Sequence, residues 1–208
     1  MSTINLHRGE HFEHVFVNES VNVHFVQEAG SILKIHVINF TSAANHIVVE
    51  QKEEGCQTEI YALAYLHENE SVTTETHVHH MVGGGTSNQL VKFVLDNQAK
   101  GHFVGDLKIA QDAQQTEAHQ TNRNLLLSDD AEMRTQPQLE IYADDVKATH
   151  GASTGQLDES ALFYMQQRGI DKQKARQLLV GAFMKDVLAT ISDEQLREQL
   201  ICSLDSDL

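Results

Sequence analysis

Thirteen histidines stand in this chain against 15 lysines and arginines. Their densest cluster is His77-Val78-His79-His80. Imidazole titrates near neutrality and is the commonest metal ligand, so this cluster is the first candidate for chemistry. On a strand, His77 and His79 share one face and His80 points to the other. Such a pair binds a metal when a carboxylate a few residues on and a third histidine from a later strand complete the set. Here Met81-Val82-Gly83-Gly84-Gly85 follows, with no carboxylate. The plainer expectation is a solvated strand with its polar residues, Thr74 and Thr76 among them, directed outward.

The other candidates are weaker. Gly83-Gly84-Gly85 is not followed by Gly-Lys-Ser/Thr, so it predicts a tight turn or a close backbone contact rather than a phosphate loop. Asp129-Asp130 and Asp144-Asp145 are paired carboxylates, but sequence neighbours point apart on a strand, which favours solvation. No serine has a nucleophile-elbow setting. No catalytic residue is assigned, and no enzymatic activity is expected. Cys56 and Cys202 are the two cysteines. Too far apart for a CxxC pair, they predict free thiols in a reducing compartment. Four ligands, mostly thiolates, hold a typical iron–sulfur cluster, so two distant cysteines hold none by themselves.

The elements that position these residues fall into two kinds. From about Val15 to His150 the apolar period is two. Val21, Val23 and Phe25 alternate with Asn22 and His24, and Leu33, Ile35 and Val37 with Lys34 and His36. Residues 89–95, 103–109 and 139–143 behave similarly, which predicts half-buried strands. Turn signals separate them at Glu28-Ala29-Gly30, Glu54-Gly55, Glu68-Asn69-Glu70, Gly83-Gly84-Gly85, Asp96-Asn97 and Ser128-Asp129-Asp130. A sandwich, a barrel or an irregular solenoid would each satisfy this pattern. After Gly151 the period lengthens. Asp158 is placed to cap one helix ending at Gly169, and Asp171 a second bearing Ala175, Leu178, Leu179, Ala182, Phe183 and Val187. Ser192-Asp193-Glu194-Gln195 has the form of a capping box opening a third. The change of period falls in residues 150–156.

Composition excludes several classes. Thirty acidic side chains against 15 basic ones give a net charge of −15, which argues against nucleic-acid and anionic-membrane surfaces. No apolar run approaches a membrane span. Residues 1–7 lack a basic segment followed by an apolar one, so no signal peptide is expected and a cytoplasmic location is.

One stretch carries a family resemblance. Pro137-Gln138-Leu139-Glu140-Ile141-Tyr142-Ala143-Asp144-Asp145-Val146-Lys147 continues through Ala148-Thr149-His150-Gly151-Ala152 into a helix with Leu162-Phe163-Tyr164 and an Arg168-Gly169-Ile170 turn. Thr121-Asn122-Arg123-Asn124-Leu125-Leu126-Leu127 precedes it. This resembles the SufB/SufD family of iron–sulfur cluster assembly proteins, closest to its SufD side, specifically over residues 100–190 and more weakly back to residue 20. The resemblance implies a right-handed parallel β-helix over residues 1–150 and a small helical domain over 151–208. It implies a scaffold subunit that pairs with a SufB-type subunit and docks a SufC-type ATPase on the C-terminal helices. The residues assigned to that docking are Tyr164, Arg168, Gly169 and Ile170 from the matched stretch, with Leu178, Leu179 and Phe183 from the apolar stripe of the second helix. It implies a transient iron–sulfur cluster at the subunit interface, with His150 as a shared ligand at an exposed corner ending the last strand. The family's usual cysteine near that histidine is Ala148 here, and a longer N-terminal helical region usual in the family is missing from this sequence. The alternative reading is a cupin-like or β-helix metal-binding protein using His77, His79 and His80.

Overall fold

The computed structural model describes residues 1–207. The described chain has twelve strands followed by three helices, and every strand pairing is parallel. The strands run β1 (Ser2–Leu6), β2 (His11–Val17), β3 (Asn22–Gln27), β4 (Ile32–Asn39), β5 (Ala43–Gln51) and β6 (Gln57–Leu66). They continue as β7 (Ser71–His80), β8 (Thr86–Leu95), β9 (Lys100–Ile109), β10 (Thr116–Leu126), β11 (Glu132–Ile141) and β12 (Val146–Gln156). Odd-numbered strands form one six-stranded sheet and even-numbered strands the other. The chain therefore winds as a two-sheet β-solenoid, each coil contributing one strand to each sheet.

Alternation decides what lies between the sheets. Phe25, Ile47, Val78 and Phe103 from the odd sheet meet Leu33, Ile35, Val91 and Phe93 from the even sheet in one buried core. Polar ladders line its corners. Gln27, Gln51 and His80 occupy matching positions on β3, β5 and β7. Thr58 Oγ1 donates to Gln27 Oε1 at 2.6 Å, Gln51 Nε2 donates to Thr58 Oγ1 at 2.8 Å, and His80 Nε2 meets Ser87 Oγ at 2.8 Å. In register stacking, each coil can satisfy the buried polar groups of the next.

The helices are α1 (Glu159–Gln167), α2 (Lys172–Leu188) and α3 (Glu194–Asp207). Asp158 caps α1 by accepting from Ser160 N at 2.8 Å, and Asp171 caps α2 by accepting from Lys174 N at 3.0 Å. Gly169, with φ +86°, turns the chain between them. Asp193, not Ser192, accepts from Leu196 N at 3.0 Å at the start of α3. Ser192 instead donates its N–H to Glu13 Oε1 at 3.2 Å. Val180, Met184, Val187 and Leu188 of α2 pack with Leu200 and Leu204 of α3 on the outer face of the even sheet, against Ile38, Tyr61, Leu63 and Val94. That cover explains why β6 is buried continuously from Ile60 to Leu66. A strand covered on both faces loses its alternation.

β12 runs to Gln156, past the expected end at His150. Gly151 is paired with Thr121 rather than turning the chain. The apolar signal fades early because β12 closes the last coil. From Thr149 onward both of its faces are exposed, so nothing requires apolar residues there.

Candidate functional site

β11 and β12 each pair on one side only, so the last coil presents two free strand edges. The chain's one proline, Pro137, sits on β11, where a missing N–H is tolerated because the edge is unpaired. On β12 the faces are fixed by contacts. Lys147 Nζ donates to Glu117 Oε1 at 2.6 Å and His119 Nδ1 meets Thr149 Oγ1 at 2.8 Å, which puts 147 and 149 outside. The Lys147 ammonium also holds the Glu117 carboxyl below its usual range. Asn124 Nδ2 donates to Thr154 Oγ1 at 3.2 Å, which puts 154 inside. By alternation His150 lies on the inner side, opposite buried Gln120 in the register, with Ala148 two residues back on the same face. His150 is itself exposed, because no further coil covers it. An open backbone edge, an accessible imidazole and the exposed Ile141 and Tyr142 at the end of β11 thus lie together at the terminal coil.

The helices carry a second surface. Phe163 and Tyr164 of α1 are exposed, and the Arg168 guanidinium lies over the Tyr164 ring, 4.8 Å from its centroid. Gly169 is exposed and Ile170 half-buried. On α2 the buried side is Ala175, Val180, Met184, Val187 and Leu188. The stripe read from the sequence therefore splits. Leu178 is 45% exposed and lines a shallow groove with Gly181, Ala182, Lys185 and, from α3, Ile201. Leu179 is half-buried, and Phe183 packs toward the sheet under Lys92 Nζ, 4.6 Å from the ring centroid.

The three clustered histidines are not brought to one site. His77 and His79 face outward, each 3.4 Å from Asp106 Oδ2. His80 faces the core, where burial pushes its pKa down to about 4, so it is a neutral ladder residue. Thr74 and Thr76 are buried, contrary to the outward placement expected of them. Val72 and Val78 set the parity of β7, and the even-numbered threonines must follow them inward. The all-parallel sheets also differ from a cupin-like barrel. Of the cysteines, Cys56 is buried, its Sγ donating to Glu53 O at 3.1 Å and Glu28 O at 3.2 Å, and burial raises its pKa. Cys202 is exposed on α3.

Sequence reasoning missed the polar fasteners between helices and sheet. His36 Nε2 meets Thr190 Oγ1 at 2.9 Å, Lys92 binds Asp186, and Arg176 Nη2 donates to Asp96 Oδ2 at 2.7 Å. The one available signal was a lysine inside the apolar run Leu90–Leu95.

A two-sheet parallel solenoid with an open terminal coil and helices laid on one outer face defines the class: a β-solenoid with a helical cover. Residues 6–183 match the family described as SUF system FeS cluster assembly, SufBD core domain. The chain belongs to the SufB/SufD family and falls on its SufD side. It is 31% identical to the iron–sulfur cluster assembly protein SufD of Escherichia coli (strain K12), over 97% of this chain and 50% of that protein. It is 37% identical to an iron–sulfur cluster assembly SufBD family protein of Synechocystis, over 75% of this chain and 34% of that one. A SufD of Plasmodium falciparum is 26% identical over 91% of this chain and 13% of its own length. The chain thus spans about half the length of the E. coli relative and less of the others. Among the described residues no helix is long and apolar enough to cross a membrane.

Proposed function

We propose that this chain is a non-catalytic, SufD-like scaffold subunit of a cytoplasmic iron–sulfur cluster assembly complex. It pairs with a SufB-type subunit through the β11–β12 end of the solenoid and docks a SufC-type ATPase on α1, α2 and the Leu178–Ile201 groove. The observation that carries this reading is the open terminal coil, a ready template for strand pairing, with His150 exposed on its inner side.

The cluster is cargo, built transiently where the two subunits meet. Imidazole replaces thiolate in some clusters. His150 therefore contributes a nitrogen to a site whose remaining ligands come from the partner, which fits a chain whose Cys56 is buried and whose position 148 is alanine. Tyr164, Arg168, Gly169 and Ile170 present the α1 end to the ATPase, and Leu178 anchors the α2 side. Leu179 and Phe183 support that helix from beneath.

The test is co-expression of the chain with SufB-type and SufC-type partners, followed by cluster reconstitution. A stable three-component complex is expected, and His150→Ala should preserve it while lowering cluster yield. Failure of the parent chain to co-purify with either partner refutes the scaffold reading. Unchanged yield in His150→Ala refutes only the ligand role.

A further inference from the structure

The outer face of the odd sheet carries a histidine–carboxylate cluster that the scaffold reading does not use. His46 on β5 is the register partner of Glu75 on β7, and His77 follows two residues along β7 on the same face. His46 Nδ1 lies 3.0 Å from Glu75 Oε2. The His46 and His77 rings are 5.2 Å apart between centroids. One ligand atom from each of His46, Glu75 and His77 falls within 4.8 Å of the other two. All three side chains are half-buried, held by strands yet open to solvent. Asp106 on β9 is the register partner of His77, and its Oδ2 reaches His77 Nδ1 at 3.4 Å.

We infer that His46, Glu75 and His77 form a binding site for a divalent first-row transition cation of the zinc type, with Asp106 as a positioning residue that orients the His77 ring. Two imidazoles and a carboxylate suit such borderline ions, with water completing the coordination. A carboxylate behind a ligating histidine is the usual outer support, because it fixes the tautomer and the ring. Parallel register sets the spacing: the ligands come from adjacent strands of a rigid sheet, so little conformational freedom is lost when an ion binds between them. A net charge of −15 draws cations to the surface. This set differs from the His77–His79–His80 cluster suggested by sequence, since its second histidine and its carboxylate come from upstream.

The experiment uses the full chain, purified without a polyhistidine tag and titrated with Zn²⁺ in a competition assay against a chromophoric chelator. Co²⁺ absorption reports the coordination sphere. One equivalent of Zn²⁺ is expected. His46→Ala, Glu75→Gln and His77→Ala should each weaken binding about tenfold or more, while His79→Ala and the distant His102→Ala stay within about twofold. Circular dichroism confirms that each variant is folded, as outward-facing, half-buried strand positions should allow. Absence of binding to the parent chain overturns the inference. So does affinity unchanged in the three ligand variants, or an equal loss in His79→Ala, which would place the ion at Asp106 instead.

Discussion

Lys92 on the even sheet and Asp186 on α2 are joined at 2.5 Å across the contact between helix and solenoid. The lysine is 2% exposed and the aspartate 52%. The ammonium also donates to the Phe183 carbonyl at 2.6 Å and lies over its ring. A buried charge left without its partner costs more than the pair itself contributes. Asp186→Ala therefore should loosen α2 from the sheet by about 1–3 kcal/mol, whereas Lys92→Met, which removes the charge and keeps the stem, should cost less. Urea unfolding gives the ranking, and amide exchange in α2 shows whether the loss is local. Equal costs for the two variants would contradict the argument.

Stability should fall on mild acidification because two histidines are held neutral. Burial pushes His36 and His80 down from 6.5 to about 4. Between those values the unfolded chain binds protons that the folded chain does not. The stabilising contribution is complete above pH 6.5 and is lost as pH falls toward 4. A shift of this size corresponds to on the order of 3 kcal/mol per histidine. His80→Gln should flatten the dependence of the urea midpoint between pH 7 and pH 5 relative to the parent. An unaltered slope would show that His80 takes up its proton normally.

Strand parity was legible where a strand has one wet face, as at Val21–Phe25; at Leu33–Val37 the inward residues were read correctly, but the helices bury the alternate residue His36 as well. It failed where the fold departs from that condition. Thr74 and Thr76 look like solvent-facing residues, yet the core accepts them: Asn45 Nδ2 donates to Thr74 Oγ1 at 3.2 Å. The winding itself left no fixed repeat because the coils lengthen along the chain. Ser2 pairs with Val23, 21 residues on, while Lys100 pairs with Glu132, 32 residues on. His150 was recognised as a candidate by resemblance, but its place inside a continuing strand was hidden, since an uncovered last coil needs no apolar pattern. On α2, Val180 and Met184 face the sheet while Leu178 faces out. The helix is apolar on more than one side, so periodicity alone cannot say which side is buried.

The triple glycine divides its work between conformation and contact. Gly84 has φ +72°, and a Cβ added at Gly83 would sit 2.5 Å from the Gln114 carbonyl oxygen on the next coil. That neighbour is backbone and cannot swing aside. Gly83→Ala should destabilise the chain by about 1–3 kcal/mol. Gly151→Ala, with nothing within 4 Å of the added carbon, should be neutral or slightly stabilising, because alanine loses less backbone entropy in a strand. Thermal midpoints of the two variants test this contrast, and similar shifts in both would refute the contact argument.

The two proposed partner surfaces should respond independently to mutation. Tyr142 and Ile141 stand exposed where β11 ends, with Lys108 Nζ 5.8 Å from the Tyr142 ring centroid. Leu178 lies on α2, in the groove closed by Ile201 of α3. Buried aromatic side chains anchor interfaces, and truncating one at the centre of a contact commonly costs more than about 1.4 kcal/mol, or tenfold in affinity. Neither Tyr142 nor Leu178 belongs to a buried core cluster, so neither variant should change the unfolding free energy from urea titration by more than about 0.5 kcal/mol. Tyr142→Ala should weaken association with a SufB-type subunit about tenfold and leave ATPase binding intact. Leu178→Asp should do the reverse, since a carboxylate placed in an apolar contact must be desolvated without a partner. Titration calorimetry with each partner separately gives four affinities. If Tyr142→Ala and Leu178→Asp weaken both associations alike, the surfaces are coupled through the helix–sheet contact, and the assignment of one partner to the open coil and the other to the helices is wrong.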